Sequence, residues 1–252
     1  MARVLINDLV PPIARQLLEA AGHQVNEKKY TLEELSDGVL SEYDAVMIRS
    51  ATEITGSAIE GGSNGKLKVI GRAGVGVDNI DVTAATHFGI HVVNSPAAST
   101  QAVAELTIGH LLSCARMIPK AARSIRVGEW QKKSFTGHEL RGKHLGLVGY
   151  GRIAREVASL GMAFGMKIHA FDPFLPRGAF SNQVIVHSKL LDLARHSTHL
   201  SVHCSLNAKT RDIINAKVLD ALSKGNGPAV LINCARGGLV DEDAVLAALI
   251  DG

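Results

Sequence analysis

At 252 residues, 46% hydrophobic and 20% charged, the chain has the composition of an ordinary globular protein with one or two domains and a sizeable core. A formal charge of +3, scattered rather than gathered into a basic stripe with aromatics, excludes a nucleic-acid partner, and no window approaches the apolar length of a membrane span. Cys114, Cys204 and Cys234 lie too far apart for a Cys-x-x-Cys metal or redox site and are odd in number, so no metal, no disulfide framework and a reducing, cytoplasmic location are expected.

In chain order, Arg3-Val-Leu-Ile-Asn7 reads as a strand, and Pro11-Pro12 opens a helix that runs to about Ala21 and stops at Gly22. A weak strand at 24–26 and a helix near 32–37 follow. Ala45–Ile48 is a buried strand ending in Arg49-Ser50. A fourth strand, 68–70, runs into Gly71-Arg72-Ala73-Gly74-Val75-Gly76-Val77-Asp78, and a fifth, 91–93, runs into Asn94. Apolar strands alternating with helical stretches predict a parallel sheet wrapped by helices over residues 1–97. In such sheets ligands sit beyond the carboxyl ends of the strands. That places Arg49, Ser50 and the turn Gly74–Gly76, with Val75, on one rim. Arg49 and Arg72 could each reach an anion there, the alternative being two solvated surface arginines.

Ser99 or Thr100 caps a helix from Gln101 to about Met117. Its apolar residues cover most of the circumference, which predicts burial between domains or across a subunit interface. After Ile118-Pro119 a second helix continues to about Val127, and Lys132-Lys133 reads as a solvated face.

The chain is organised around Lys143-His-Leu-Gly-Leu-Val-Gly149-Tyr-Gly151-Arg152-Ile153-Ala154. This is a short apolar strand, a glycine turn and the start of a helix. Gly149 suits the tight turn, Gly151 leaves bare backbone for a pyrophosphate, and Ala154 lets the helix lie close to the strand. A second strand, Lys167–Phe171, ends in Asp172, 18 residues after Ala154, the spacing at which an acid meets the adenosine ribose hydroxyls. A carboxylate there repels a 2′-phosphate, so NAD is favoured over NADP; Arg177, nearby, is the one residue that argues the other way.

Beyond a loop at 173–180, an apolar run at 184–186 and a helix at 188–195, the strand His199–Val202 ends in His203-Cys204-Ser205. A helix at 215–223 leads to the strand 229–232 and then to Asn233-Cys234-Ala235-Arg236-Gly237-Gly238, before a last helix at 241–250. Arg236 is the sharpest chemical candidate. It follows a buried strand, precedes two glycines and shares the cofactor rim, so its guanidinium could clamp a substrate carboxylate and polarise the adjacent carbonyl. The alternative is a capping or interdomain salt-bridge arginine.

Taken together, Gly71–Asp81, Ala104-Glu105-Leu-Thr107, Gly149-x-Gly151-Arg-Ile-Ala and Asn233–Asp241 resemble the D-isomer-specific 2-hydroxyacid dehydrogenases along the whole chain. Within that family, Arg49-Ser-Ala-Thr52 and the run 72–81 most resemble the phosphoglycerate dehydrogenases. The resemblance implies an α/β protein of two domains, both with parallel sheets. Residues 1–97 would be a flavodoxin-like substrate domain, and 98–252 an incomplete Rossmann domain for NAD. It implies oxidation of 3-phospho-D-glycerate at the head of serine biosynthesis, with Arg236 catalytic. Arg49, Ser50, Arg72, Gly74 and Val75 would hold a phosphorylated 2-hydroxy acid. Arg152, Ile153, Asp172, Cys204, Cys234, Ala235 and Arg236 would touch NAD beside Gly149 and Gly151, and a homodimer would form through the cofactor domain.

There are departures. The family's acid/base histidine and its glutamate partner lie downstream of the arginine motif, and none of the eleven histidines here matches them, so the 252 residues are expected to turn over little. Ser99 stands where an asparagine is common, and Ser205 where a proline is usual. Both leave room for glyoxylate or hydroxypyruvate reduction, or for a non-catalytic NAD-binding regulator of the corepressor kind.

Overall fold

The computed structural model describes residues 1–175, 183–223 and 229–251. Arg177 and part of the loop predicted at 173–180 lie outside them. Two compact units divide the chain, Met1–Ser99 and Thr100–Gly252.

The first unit runs β1 (Arg3–Ile6), α1 (Pro12–Ala20), β2 (Gln24–Glu27), α2 (Leu32–Ser36), a 3-10 turn (Val39–Glu42), β3 (Ala45–Ile48), α3 (Gly56–Ser63), β4 (Val69–Arg72), α4 (Val82–His87) and β5 (His91–Asn94). All its strand pairs are parallel, in the order β2-β1-β3-β4-β5, the doubly wound flavodoxin order. Leu5, Val46, Ile48 and Ile70 from the strands meet Leu35, Leu40, Tyr43, Ile54 and Ile59 in one core. Thr31 starts α2 with a reciprocal capping box to Glu34, and Gly22, at φ +81°, ends the turn after α1 as the sequence predicts.

α3 is absent from the sequence reading, because Gly56-Ser-Ala-Ile-Glu-Gly-Gly-Ser carries three poor helix formers. Packing explains the glycines. A Cβ at Gly62 would come within 2.6 Å of Leu67, and one at Gly61 within 3.0 Å of the Gly38 backbone. The helix lies too close to its neighbours for side chains there, and Thr55 Oγ1 caps it by accepting from Ala58 N–H.

The second unit runs α5 (Thr100–Ala115), α6 (Ile118–Arg126), a 3-10 turn (Lys132–Phe135), β6 (His144–Val148), α7 (Arg152–Ala163), β7 (Lys167–Phe171), β8 (Val184–Val186), α8 (Leu190–Arg195), β9 (His199–Val202), α9 (Ala216–Ser223), β10 (Val230–Asn233) and α10 (Glu242–Asp251). Its parallel sheet has the order β10-β9-β6-β7-β8, with the direction of winding reversing between β6 and β9. On one face Leu145, Leu147, Ile168 and Ala170 pack with residues of α5 and α7; Val148, Leu200 and Val202 pack with residues of α8 and α9.

Sequence reasoning expects the α5 helix to be buried between domains or across a subunit interface. Within its unit only one stripe is buried, Ala104, Thr107, Ile108, Leu111 and Ala115, while Leu106 is 53% exposed. The i, i+3, i+4, i+7 spacing of that stripe is one helix face, and α7 covers it.

Against α8 the sheet carries imidazoles in place of aliphatic side chains. His144 Nδ1 lies 2.8 Å from His169 Nε2, and His169 Nδ1 lies 2.9 Å from His187 Nε2. The His196 ring completes the layer, 5.0 Å from that of His187. Burial, helped by His144, His187, His196 and Lys167, pushes His169 down to about 4. Burial does the same to His199, beside His138 and Lys143, and to His203.

The sign of the pH effect follows. These rings charge in the unfolded chain near pH 6.5 but resist charging when folded, so the unfolded state binds more protons in between. Their contribution is fully present above about pH 6.5 and is lost as pH falls toward about 4. The urea midpoint of the cofactor unit should therefore drop steadily between about pH 7 and about pH 5. A flat midpoint over that range would show that the rings take up protons alike in the folded and unfolded chain, and a midpoint rising as pH falls would show that they are already charged when folded.

Among the described residues, no group of three or more His, Cys, Asp or Glu is placed to hold a metal, and no helix is long and apolar enough to cross a membrane.

Candidate active site

The carboxyl ends of β6, β7, β9 and β10 bring the sequence-predicted residues of the second unit to one rim. Gly149, after β6, has φ +84°, and a Cβ on it would sit 2.8 Å from the Cys204 backbone nitrogen. The turn and the close approach of β6 to β9 both demand glycine there. Gly151 is different: its φ is −78°, and a Cβ would meet nothing within 4 Å. Among the described residues no steric contact requires a glycine at that position; open space over bare backbone is what an approaching phosphate requires.

Behind it α7 begins with no side-chain cap, and its first intrahelical bond runs from Arg155 N–H to Gly151 O. The N–H groups of Arg152, Ile153 and Ala154 precede that bond and face the rim with the positive end of the helix dipole. Ala154 is fully buried, as its small size predicts.

Asp172 ends β7 beside this turn. Its Oδ2 accepts from Tyr150 N–H at 2.9 Å and its Oδ1 from Phe174 N–H at 2.9 Å. Two backbone donors thus aim the carboxylate, and each oxygen keeps a lone pair for a ribose hydroxyl. The glycine turn, the uncapped helix and the aimed acid fit a dinucleotide on the chemistry of the donors alone.

At the end of β10, Asn233 folds the next turn with its own side chain. Its Oδ1 accepts from Ala235 N–H at 3.0 Å, and its Nδ2 donates to Arg236 O at 2.8 Å. Arg236 is half-buried, with Nη1 donating to Ala235 O at 2.8 Å, so the arginine is held on the rim beside Cys234 and Ala235. His203 and Cys204 end β9. His203 Nε2 is 2.9 Å from Ser201 Oγ, and burial raises the Cys204 thiol above its usual range, which makes it a poor nucleophile.

The first unit has a rim of its own. Arg49 and Ser50 are exposed at the end of β3. After β4 the guanidinium of Arg72 lies over Gly74, where any Cβ would collide with it. Asn94 Nδ2, from the end of β5, donates to Val75 O at 2.6 Å and pins that turn. Arg49, Ser50, Arg72, Gly74 and Val75 thus sit at neighbouring strand ends, as predicted.

Sequence reasoning missed what supports them. Asp8 Oδ2 accepts from Arg49 N–H at 2.6 Å, and Asp8 Oδ1 accepts from Lys29 Nζ at 2.5 Å and Thr52 Oγ1 at 2.7 Å. Asn7 Nδ2 donates to Thr52 Oγ1, and Asn79 Nδ2 to Arg49 O and Thr52 O. Burial raises the Asp8 carboxyl, but the bonds from Lys29, Thr52 and Arg49, with the Lys29 charge, outweigh it and leave the group lowered. The only signal in sequence is an Asn-Asp pair directly after an apolar strand.

Asp8→Ala should cost about 1–3 kcal/mol, because Thr52 and the Arg49 N–H lose their acceptor. Equilibrium unfolding checks this. The loss should shrink as pH falls through the lowered Asp8 value, since the wild-type carboxylate is protonated there too.

Comparisons with known proteins agree with this geometry. Residues 108–252 match the D-isomer specific 2-hydroxyacid dehydrogenase, NAD binding domain. The whole chain is 45% identical to the D-3-phosphoglycerate dehydrogenase of Methanocaldococcus jannaschii, covering 47% of that protein. Over 99% of its length it is 41% identical to the hydroxypyruvate reductase of Thermotoga maritima, covering 79% of it. In structure it is similar to a glyoxylate reductase from Paecilomyes thermophila, with a TM-score of 0.87 at 30% identity over 99% of this chain and 78% of the other. The chain spans about half the length of most of the phosphoglycerate dehydrogenases it matches. An NAD-binding rim of this form and matches along the whole chain establish that the protein belongs to the D-isomer-specific 2-hydroxyacid dehydrogenase family.

Proposed function

We propose that the protein is an NAD-dependent oxidoreductase of the kind that oxidises 3-phospho-D-glycerate to its 2-keto acid, the entry to serine biosynthesis. The observation that carries the reading is Arg236, held on the same rim as the glycine turn and Asp172. NAD, when bound, takes up or supplies the hydride. The chain's own residues bind and orient: Arg236 grips the substrate carboxylate bidentately and stabilises charge on the neighbouring oxygen. Residues 1–97 serve as the substrate domain and 98–252 as the cofactor domain. Arg49 and Arg72 meet the substrate's phosphate, assisted by Ser50, Gly74 and Val75, and this pair of cations favours phosphoglycerate over hydroxypyruvate. The exposed apolar side of α5, Leu106 included, suits a homodimer, and we assign the protein to the cytoplasm.

No described histidine is assigned to the hydroxyl proton. His203, on the rim, is engaged by Ser201 and pushed down to about 4 by burial, too weak a base for that task near neutral pH. The 252 residues alone are expected to bind NADH with little turnover.

The test is NADH formation with 3-phospho-D-glycerate, and NADH consumption with hydroxypyruvate and glyoxylate, on this chain and on its whole reading frame. Activity of the longer form with phosphoglycerate supports the proposal, and a preference for hydroxypyruvate or glyoxylate replaces the substrate. NADH binding without any turnover favours a regulator and removes the catalytic role of Arg236. Robust turnover by the 252 residues themselves would overturn the expectation of little turnover.

A further inference from the structure

The cofactor rim uses the carboxyl end of the second sheet. At the opposite end, where β6 and β9 begin, lies a concavity of about 370 Å³ lined by Lys143, His144, Arg195, His196, Ser197 and Thr198. Its lining contains no carboxylate. Lys143 and Arg195 supply two positive charges, and the imidazoles of His144 and His196 stand beside them. Asp192 pairs with Arg195 at 3.1 Å, but both side chains are well exposed (39% and 60%), so the bridge is weak and screened.

We propose that this pocket binds a small dianion carrying a phosphate group, inorganic phosphate or a phosphomonoester, and that binding is linked to protons through the imidazole chain behind it.

The hydrogen-bond inventory directs the anion to the basic side chains. His144 N–H is taken by Thr198 Oγ1, Thr198 N–H by His144 O, and His196 N–H by Asp192 O. The Ser197 hydroxyl donates to Leu193 O and the Thr198 hydroxyl to His144 O. Lys143, Arg195, His144 and His196 remain as donors. The volume suits a phosphate with a few attached atoms rather than a polymer.

The histidines act differently from the lysine and arginine. His196 Nδ1 faces Asp192 O at 2.7 Å and must carry a hydrogen, so its Nε2 donates only when the ring is charged. His144 turns Nδ1 inward to His169, which leaves Nε2 as the polar atom on the pocket side. The neutral chain His144–His169–His187 can be polarised in two directions. In one, His144 donates inward and its Nε2 presents a lone pair to the pocket. In the other, His187 donates to His169, His169 donates to His144, and His144 Nε2–H points outward. An anion selects the second, or charges His144 outright. Around these rings stand Lys143 beside β6, Lys167 on β7, Asp192 and Arg195 on α8, and His199 on β9 with His138 against it. Among the described residues the cations here outnumber the acids, so each added proton is resisted until an anion compensates it. Anion binding therefore takes up protons, and affinity rises as pH falls.

The test is imidazole NMR of the 252-residue chain titrated with sulfate, which stays a dianion through the range and so reports the protein's protons alone. His144 and His196 should shift saturably, and a phosphate held on the cofactor rim would move neither. Affinity should rise at least about threefold from about pH 7 to about pH 5.5 and fall about tenfold in the double variant Lys143→Gln/Arg195→Gln. An unchanged His169 resonance in that variant shows that the fold is kept, and if it moves, the single variant Arg195→Gln, an exposed site, takes its place. Parallel titrations with inorganic phosphate and glycerol 3-phosphate separate the two sources: equal affinity assigns the site to free phosphate, and tighter binding of the ester to a phosphorylated metabolite. Absence of saturable shifts at His144 and His196, or affinity indifferent to pH or to the variants, overturns the proposal.

Discussion

Gly149→Ala should destabilise the cofactor unit strongly, whereas Gly151→Ala, two residues on, should cost it far less and weaken dinucleotide binding. At Gly149 the backbone has φ +84°, where an L side chain costs about 1–2 kcal/mol. The new Cβ would also sit 2.8–3.0 Å from Cys204 N, Cα and Cβ, and forcing two strand ends apart costs about 1–3 kcal/mol more. The expected loss is roughly 2–5 kcal/mol, a large fraction of a domain's stability. Gly151 has an ordinary φ and no described atom within 4 Å of its would-be Cβ, so urea unfolding should move by no more than about 1 kcal/mol, the cost of alanine for glycine at the position that caps α7. NADH affinity should nevertheless fall at least about tenfold, because the methyl occupies the approach of the pyrophosphate. Equal NADH affinity in Gly151→Ala and the wild type would mean that the phosphate does not sit over this residue.

The second large effect concerns Arg236. In the active enzyme, Arg236→Gln and Arg236→Lys should both lower kcat/KM for the 2-hydroxy acid by about 10²–10³-fold, the scale of losing a preorganised donor to developing charge. Lysine should not rescue, since an ammonium cannot make the bidentate fork. NADH affinity should fall by less than about tenfold in both, because the glycine turn and Asp172 hold most of the cofactor. The turn itself should survive, as Asn233 bonds to the backbone at 235 and 236 rather than to the Arg236 side chain. Steady-state kinetics with stopped-flow NADH titration separates these quantities. Turnover that falls only in proportion to stability would identify Arg236 as a structural arginine of the loop.

Read alone, the sequence determined both parallel sheets, the cofactor rim and nearly every strand. The signals there are short in range. An apolar run, a glycine turn and a helix start lie within about a dozen residues of one another, and the strand and helix periods are local properties of the chain. Asp172 was legible for the same reason, its spacing being set by one helix and one strand. The tertiary structure decided what depends on strand register and close packing. Asp8, Lys29 and Thr52 are 21 to 44 residues apart, and no local pattern announces that β1 and β3 are neighbours whose ends share one carboxylate. α3 exists despite its glycines, because at Gly61 and Gly62 the helix lies too close to its neighbours to admit a side chain. For α5, apolar content says how much surface the helix can bury, whereas the stripe that α7 covers within the unit, Ala104 to Ala115, is decided by packing. The histidines tell the same story. Scattered from 144 to 196 they carry no periodicity, and they meet only because β6, β7 and β8 align in register with α8 across them. Local chemistry is written along the chain, whereas proximity between distant residues arises only when the sheet is assembled.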